Sequence, residues 1–281
     1  QQVKTGDELE IGEYKLQFIQ TPMAHWPESM VCYETTTKTL FSSDVFGGYK
    51  TVGDQPLAEK REDLDEFIDE ARTYFATVLG GYTRPTAKAL KQLKKIQIDT
   101  IAPAHGLVWQ KKSNLIQDLY QNWSQYETDQ ATAEGVTVIV GSMYSHTFEI
   151  GELIKEELEK LKLEVDLLDA SQSSLAKQLN CVWKNKGLII GSCTYSNGLL
   201  PPVKWLIDAL QERKISNKIL GVFSSHSWTG GAMRFLQQFA QETKLKLLDP
   251  QFETQYKMED ETKKQAQLLA QAMANDLKSP K

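Results

Sequence analysis

VTVIVGSMYSHTFEIGELIKEELEK (residues 136–160) opens on a run of apolar, mostly β-branched residues. Such a run reads as a strand buried on both faces. Directly after it, Ile150, Leu153, Ile154, Leu158 and Leu161 recur at helical spacing, and EELEK fills the opposite face. A buried strand feeding an amphipathic helix is the unit of a parallel α/β sheet. The same alternation continues to the end of the chain. LEVDLLDA (163–170) precedes a helix around SSLAKQL, and GLIIGS (187–192) precedes a helix over VKWLIDALQER. KILGVFSS (218–225) precedes AMRFLQQFAQET, and KLKLLD (244–249) precedes a closing helix over QAQLLAQAMANDL. Five strands alternating with five helices predict a doubly wound α/β domain with strand order 2-1-3-4-5.

Residues 1–130 follow a different pattern. ELEIGEYKLQFIQTP and ESMVCYETTTKTLFSSD read as consecutive strands with turns, and DTIAPAHG as a short strand ending in a loop. EDLDEFIDEARTYFATVL, TAKALKQLKKI and SNLIQDLYQNWSQYETDQ read as helices. Strands followed by helices suit one α+β layer or half of a larger domain. The small, polar stretch ETDQATAEG (127–135) is the expected linker, dividing a domain 1–130 from a domain 135–281. A length of 281 residues agrees with two domains. The net charge of −5, with scattered Lys and Arg, offers no basic stripe for nucleic acid. No apolar run approaches the ~20 residues that span a bilayer. Cys32, Cys181 and Cys193 form no CxxC pair, which fits a reducing cytoplasm. The chain starts at Gln1 without a methionine and enters strand-like sequence at once, which reads as a fragment or a processed product.

Ligands of a parallel sheet bind beyond the carboxyl ends of its strands. Three strands here end in polar, hydroxyl-rich loops. GSMYSHT (141–147) runs directly into a helix, whose N–H groups and dipole favour an anion, and Ser142, Ser145 and Thr147 add hydroxyls. The loop has neither the lysine and glycines of a P-loop nor GxGxxG, so a monophosphate held without metal or lysine suits it best. Serine or threonine at a helix start is also an ordinary N-cap. SCTYSNGLLPP (192–202) is the second loop, where Gly198 is expected to permit a tight turn. SSHSWTGGAM (224–233) is the third, where Gly230 and Gly231 allow close backbone approach. Tyr144, Tyr195 and Trp228 place one aromatic on each loop. Each alone reads as a packing residue; together they offer apolar faces to a flat ring.

The chain has four histidines. His25 and His105 each follow a strand in the first domain, beside proline or glycine, and Asp44 ends the apolar strand of LFSSD. Imidazole and carboxylate at strand ends are ligand types for iron, manganese or zinc. The wide spacing makes no metal motif by itself, and loop histidines with a turn aspartate is the competing reading.

Residues 136–278 resemble the flavodoxin-like domain of flavodiiron proteins (A-type flavoproteins). Ser142-Met143-Tyr144 with Thr147, Thr194-Tyr195 with Asn197-Gly198, and Trp228 with Gly230-Gly231-Ala232 carry the resemblance. Ser145 and His146 stand where that family usually has Gly-Asn, and His226 and Ser227 where it usually has Tyr-Gly. In the first domain, TPMAHWPESM, TLFSSDVFG and IAPAHG resemble three ligand segments of the family's metallo-β-lactamase-like (αββα) diiron domain, with Glu28 where the family commonly has Asp. The resemblance implies FMN held by Ser142, Met143, Tyr144, Ser145, His146 and Thr147, by Thr194, Tyr195, Ser196, Asn197 and Gly198, and by Ser225, His226, Ser227, Trp228, Gly230 and Gly231. It implies His25 and His105 as ligands of one iron each, and Asp44 as the bridge between two.

What the resemblance implies functionally is an oxidoreductase. FMN receives electrons from rubredoxin or a flavin reductase and passes them to a non-haem diiron centre that reduces O2 to water, NO to N2O, or both. A head-to-tail homodimer is implied as well. The family's HxExDH segment, which supplies the other iron ligands, does not occur in this sequence. The expectation is a metallo-β-lactamase-like domain that lacks its N-terminal half, with the remaining ligands on a longer precursor or a separate chain. Two further readings remain at this point: a flavodoxin-type electron carrier with an inactive remnant in front, and a metallo-β-lactamase-type hydrolase.

Overall fold

A computed structural model describes residues 2–125, 135–256 and 258–278. The chain divides into two compact units, 1–126 and 127–281. Nearly all of the stretch in which the linker is expected lies outside the described residues.

The first unit holds one mixed sheet in the order β1-β2-β3-β4-β5. Glu8–Ile11 (β1) and Tyr14–Gln20 (β2) form a hairpin, continued antiparallel by Met30–Glu34 (β3) and Thr39–Ser43 (β4). Thr100–Pro103 (β5) then pairs parallel to β4. Between those strands run Leu64–Tyr74 (α1), extended by a π-helical turn over Phe75–Leu79, and Thr83–Leu93 (α2). Ser113–Ser124 (α3) follows β5. Packing centres on aromatic rings. Phe75 and Phe46 lie 5.3 and 4.9 Å from Tyr120, whose hydroxyl donates to the Gly47 carbonyl at 3.1 Å. The parallel β4–β5 pair sets Asp44 and His105 just beyond neighbouring strand ends.

In the second unit, Val136–Gly141 (β6), Val165–Asp169 (β7) and Gly187–Tyr195 (β8) are parallel neighbours, with β6 in the middle. A two-residue strand, Gly198–Leu199 (β9), folds back antiparallel onto β8. Ile219–His226 (β10) pairs with β8, and the last strand comes in two pieces, Lys246–Leu247 (β11) and Phe252–Gln255 (β12), both parallel to β10. Numbered within the unit, the order is 2-1-3-4-5, as the sequence pattern predicts. The fifth strand departs from the expected KLKLLD. Pro250 lacks a donor and interrupts the ladder, so half of the strand falls on FETQ.

Helices cover both faces: His146–Lys160 (α4), Leu175–Lys184 (α5), Pro201–Glu212 (α6), Ala232–Thr243 (α7) and Asp260–Lys278 (α8). Residues aligned across a parallel ladder point to the same face, so Val140, Gly191 and Phe223 stand side by side. A Cβ on Gly191 would sit 2.2 Å from the Phe223 ring. The missing side chain is therefore the space Phe223 occupies inside a core shared with α4 and α8. No helix among the described residues is long and apolar enough to cross a membrane.

Gly191→Ala is expected to destabilise the second unit by about 1–3 kcal/mol, the usual effect of overpacking a dense core. Urea unfolding followed by circular dichroism should show a lower midpoint at unchanged slope; an unchanged midpoint would remove Gly191 from the packing argument.

Candidate functional site

The parallel register brings Gly141, Ser192 and Ser224 to one level at the carboxyl edge of the sheet. The loops that leave these strands enclose a cleft of about 560 Å³. Ser142, Met143, Tyr144, His146 and Thr147 line it from the first loop, Cys193 and Thr194 from the second, and Ser225, His226 and Ser227 from the third. Tyr256 and Glu259 close a fourth side from beyond β12. Sequence reading missed these two because they follow the half-strand it did not locate. Cys193 also lines the cleft, with burial pushing the thiol above its ordinary range.

At the edge of the cleft, hydroxyls take the place of cations. Thr147 and Ser225, both buried, share a hydrogen bond of 2.7 Å. The Ser142 Oγ is buried with no protein partner. An unpaired buried hydroxyl costs about 1–3 kcal/mol, which a ligand oxygen beside the helix N-terminus would offset. Helix α4 begins at His146, so its first free N–H groups belong to this loop. The donor set suits a phosphate bound by hydroxyls and backbone rather than by lysine.

Ser145, just before α4, lies at φ 66°, with no side-chain cap hydrogen bond. The Ser that stands in place of Gly thus occupies the left-handed region that glycine adopts freely. Ser227, the other such replacement, is not in that region.

The second loop corrects an expectation. Its turn is tight, but Gly198 does not supply the unusual backbone. Ser196 and Asn197 have φ 46° and 60°, while Gly198 lies on β9. Two successive positive φ values are what a two-residue hairpin turn needs to match strand twist. Gly198 lines a separate groove between α6 and α7, and neither it nor Tyr195 is among the residues that line the cleft. Thr194 does line it, and its Oγ1 accepts from the Ala232 N–H at the start of α7.

On the third loop, a Cβ on Gly231 would lie 2.5 Å from the Asn197 carbonyl oxygen, and one on Gly230 would meet the Glu253 carboxylate at 2.3 Å. Glycine lets the third loop close against the second. Trp228 is 84% exposed and Tyr144 75%. Tyr144 lines the cleft, whereas Trp228, one residue past the lining Ser227, does not; rings this open are unexplained by packing within the chain.

In the first unit, Asp44 sits between the two histidines. His25 Nε2 is 3.6 Å from Asp44 Oδ2, and His105 Nε2 is 3.5 Å from Oδ1. Each imidazole faces its own carboxylate oxygen. Two ligands of one ion, each at about 2.1 Å, stand roughly 3.0–3.6 Å apart. The geometry therefore fits a carboxylate bridging two ions, with one histidine on each. Tyr74 and Trp26 flank the pair, 5.8 Å from the His105 ring and 5.6 Å from His25. Burial, and then the Asp44 carboxylate, hold the Tyr74 phenol well above its ordinary range, so it remains protonated. Donor identity and placement suit a two-metal centre; donor number does not. Among the described residues no group of three or more His, Cys, Asp or Glu is placed to hold one ion. Each ion would find only two protein donors here.

Comparison with known proteins places both units. Residues 2–106 match the family model described as ODP family beta lactamase, and residues 138–268 match Flavodoxin. The anaerobic nitric oxide reductase flavorubredoxin of Shigella flexneri is 31% identical over 237 residues, 82% of this chain and 48% of the relative. The flavorubredoxin of Salmonella typhi is 30% identical over the same shares. The chain thus spans about half the length of the curated relatives it matches. Among solved structures, rubredoxin oxygen:oxidoreductase of Desulfovibrio gigas superposes with a TM-score of 0.91 at 23% identity, covering 99% of this chain and 69% of that one. The flavoprotein of Thermotoga maritima gives 0.83 at 25% identity, covering 98% and 68%.

Ser145→Gly should raise stability by about 1 kcal/mol, because it relieves a left-handed serine and removes no capping bond. Chemical denaturation with and without the substitution measures this, and a destabilised variant would show that the serine hydroxyl contributes something the backbone argument omits.

Proposed function

We propose that this chain, a member of the flavodiiron family, is the FMN-bearing part of an oxidoreductase that delivers electrons to a non-haem diiron centre reducing O2 to water, NO to N2O, or both. The observation that carries the reading is the combination of a cleft walled by hydroxyls and open aromatic rings in one unit with a carboxylate set between two imidazoles in the other. The two family matches fall on the same two units.

FMN, when bound, supplies the capacity to take up electrons from a donor and release them again. The protein's own contribution is position and electrostatics. Ser142, Thr147 and Ser225, with the first turn of α4, would hold the phosphate. Thr194 and the backbone of the second loop would face the cofactor's polar edge. Tyr144 and Trp228 would cover the ring and exclude water. The exposed rim they form is where a donor such as rubredoxin or a flavin reductase would approach. In the first unit, His25 and His105 would each ligate one iron and Asp44 would bridge the two. Since these residues supply only two donors per ion, the centre requires ligands from residues other than those described. A head-to-tail homodimer, with the flavin of one subunit serving the iron of the other, is part of the same reading.

The expected outcome on the purified chain is yellow protein with one FMN and less than stoichiometric iron. Iron should rise to two per chain when a segment carrying HxExDH is joined to it. Absorption near 450 nm, the chromophore's own band, and metal analysis measure the two. Two tightly bound irons on this chain alone would sink the incomplete-centre argument, and a metal-free flavoprotein in both samples would favour an electron carrier. Thr147→Val should weaken FMN binding by roughly 10-fold, the effect of losing one hydrogen bond to a charged group, measured by quenching of flavin fluorescence.

A further inference from the structure

The described residues that line the cleft include no lysine and no arginine. Glu259 lines it, and Glu253 lies behind the third loop. A phosphate adds negative charge at one end, and reduction of a flavin adds electrons at the other. Among the described lining side chains, only His146 and His226 can become cations.

Their settings differ. His146 is the first residue of α4, in the loop where the phosphate would sit, and faces Glu149 with Nδ1 to Oε2 at 3.8 Å. His226 ends β10 at the start of the third loop, two residues before Trp228. Its Nδ1 is buried with no partner, and its Nε2 stands 3.9 Å from Glu253 Oε2, too far for a hydrogen bond. Glu253 is fixed on its other side, where Oε1 accepts from Ser224 Oγ at 2.6 Å. A neutral imidazole here leaves its hydrogen-bonding capacity largely unused. An imidazolium would draw Glu253 into a charge-assisted bond, and its charge would lie beside the ring. Buried unsatisfied groups of this kind in native folds call for an explanation, and redox chemistry is a recognised one.

We propose that His226, backed by Glu253, is the positioning residue that couples a proton to reduction of the bound flavin. When one-electron donors, themselves oxidised in the process, deliver two electrons to the ring, His226 takes one proton from solvent. The imidazolium then balances charge that the described lining residues otherwise leave unopposed. Histidine suits the role because its ordinary titration falls between pH 5 and 8. Among the described residues, the other titratable groups facing the cleft are His146 with Glu149, Glu259, Tyr144, Tyr256 and Cys193. His146 is assigned to the phosphate, whose charge is the same in both redox states, so its protonation should leave the potential unmoved.

This inference rests on the FMN reading, and one experiment separates the two. The chain is loaded with FMN and its midpoint potential is measured by spectroelectrochemical titration between pH 5.5 and 8.5, for the wild type and for His226→Gln, Glu253→Gln and His146→Asn. A proton taken up per two electrons changes the equilibrium tenfold per pH unit, or about 30 mV. The wild-type slope should exceed that of His226→Gln by up to this amount over part of the range. Glu253→Gln should move the extra slope to lower pH, and His146→Asn should keep it. Nuclear magnetic resonance of the His226 ring in the wild type, oxidised and then reduced, reads the same proton without any substitution, should a variant fail to fold. Parallel potential curves, or a His226 ring whose titration is the same in both states, would overturn the inference while leaving the FMN reading intact. A chain that binds no FMN would overturn both.

Discussion

The shared register of β6, β8 and β10 is the constraint on which the second unit depends. Parallel strands pair without local turns, so their alignment must come from side chains and the helices that cover them. Here Val136 faces Gly187 and Ile219, Val138 faces Ile189, and Val140 faces Gly191 and then Phe223. Glycine at 191 admits a ring that no other residue would permit. A slip of one residue would exchange the two faces of β10 and would leave Phe223 directed at the helices of the wrong layer. The same alignment sets three strand ends level, and only level ends allow three loops to enclose one cleft.

Backbone conformations at the cleft follow from that geometry. The second loop must reverse within two residues, and Ser196 and Asn197 accept positive φ to do so. The third loop must then close over the carbonyl of Asn197, and only glycine at 231 leaves room. Ser145 holds a left-handed conformation before α4 without a capping bond in return. Positive φ values in this unit fall at the cleft loops (Ser145, Ser196, Asn197, Tyr256) and equally in the helix-to-strand turns (Lys162, Lys214, Asn217, Lys244), so they mark tight reversals of the chain in general. In the first unit the order of cause is similar. The parallel β4–β5 pair puts Asp44 and His105 at adjacent strand ends, and the β2–β3 connection brings His25 to the other carboxylate oxygen.

Much of this was legible in the residues. Apolar runs marked β6, β8 and β10, which are buried on both faces, while the half-buried edge strand β7 was marked by its place between two helices, and the alternation of five strands with helices suggested the order. The fifth was legible only in part. Its pairing skips across Asp249-Pro250 and resumes on FETQ, where alternate burial of Phe252 and Thr254 is too short to register as a period. Tyr256, Glu259 and Glu253 were missed with it. Gly198 misled for a different reason: glycine marks tight turns on average, but here the turn residues were the Ser-Asn pair before it. His25, Asp44 and His105 lie 80 residues apart at the extremes, and no local spacing joins them. Strand pairing, which is non-local, brings them together.

The two sites solve opposite electrostatic problems with the same residue. In the first unit two imidazoles and one carboxylate would serve as donors to cations, a role open to histidine only in its unprotonated form. In the second, the cleft would receive an anionic group and gather further negative charge on reduction, and each histidine is useful once protonated. Four histidines divide evenly between these tasks. A lysine or arginine in place of His226 would be a permanent cation and would stabilise oxidised and reduced states by fixed amounts. Histidine can follow the charge as it comes and goes, and Glu253 at 3.9 Å is near enough to stabilise the cation and too far to hold it in advance.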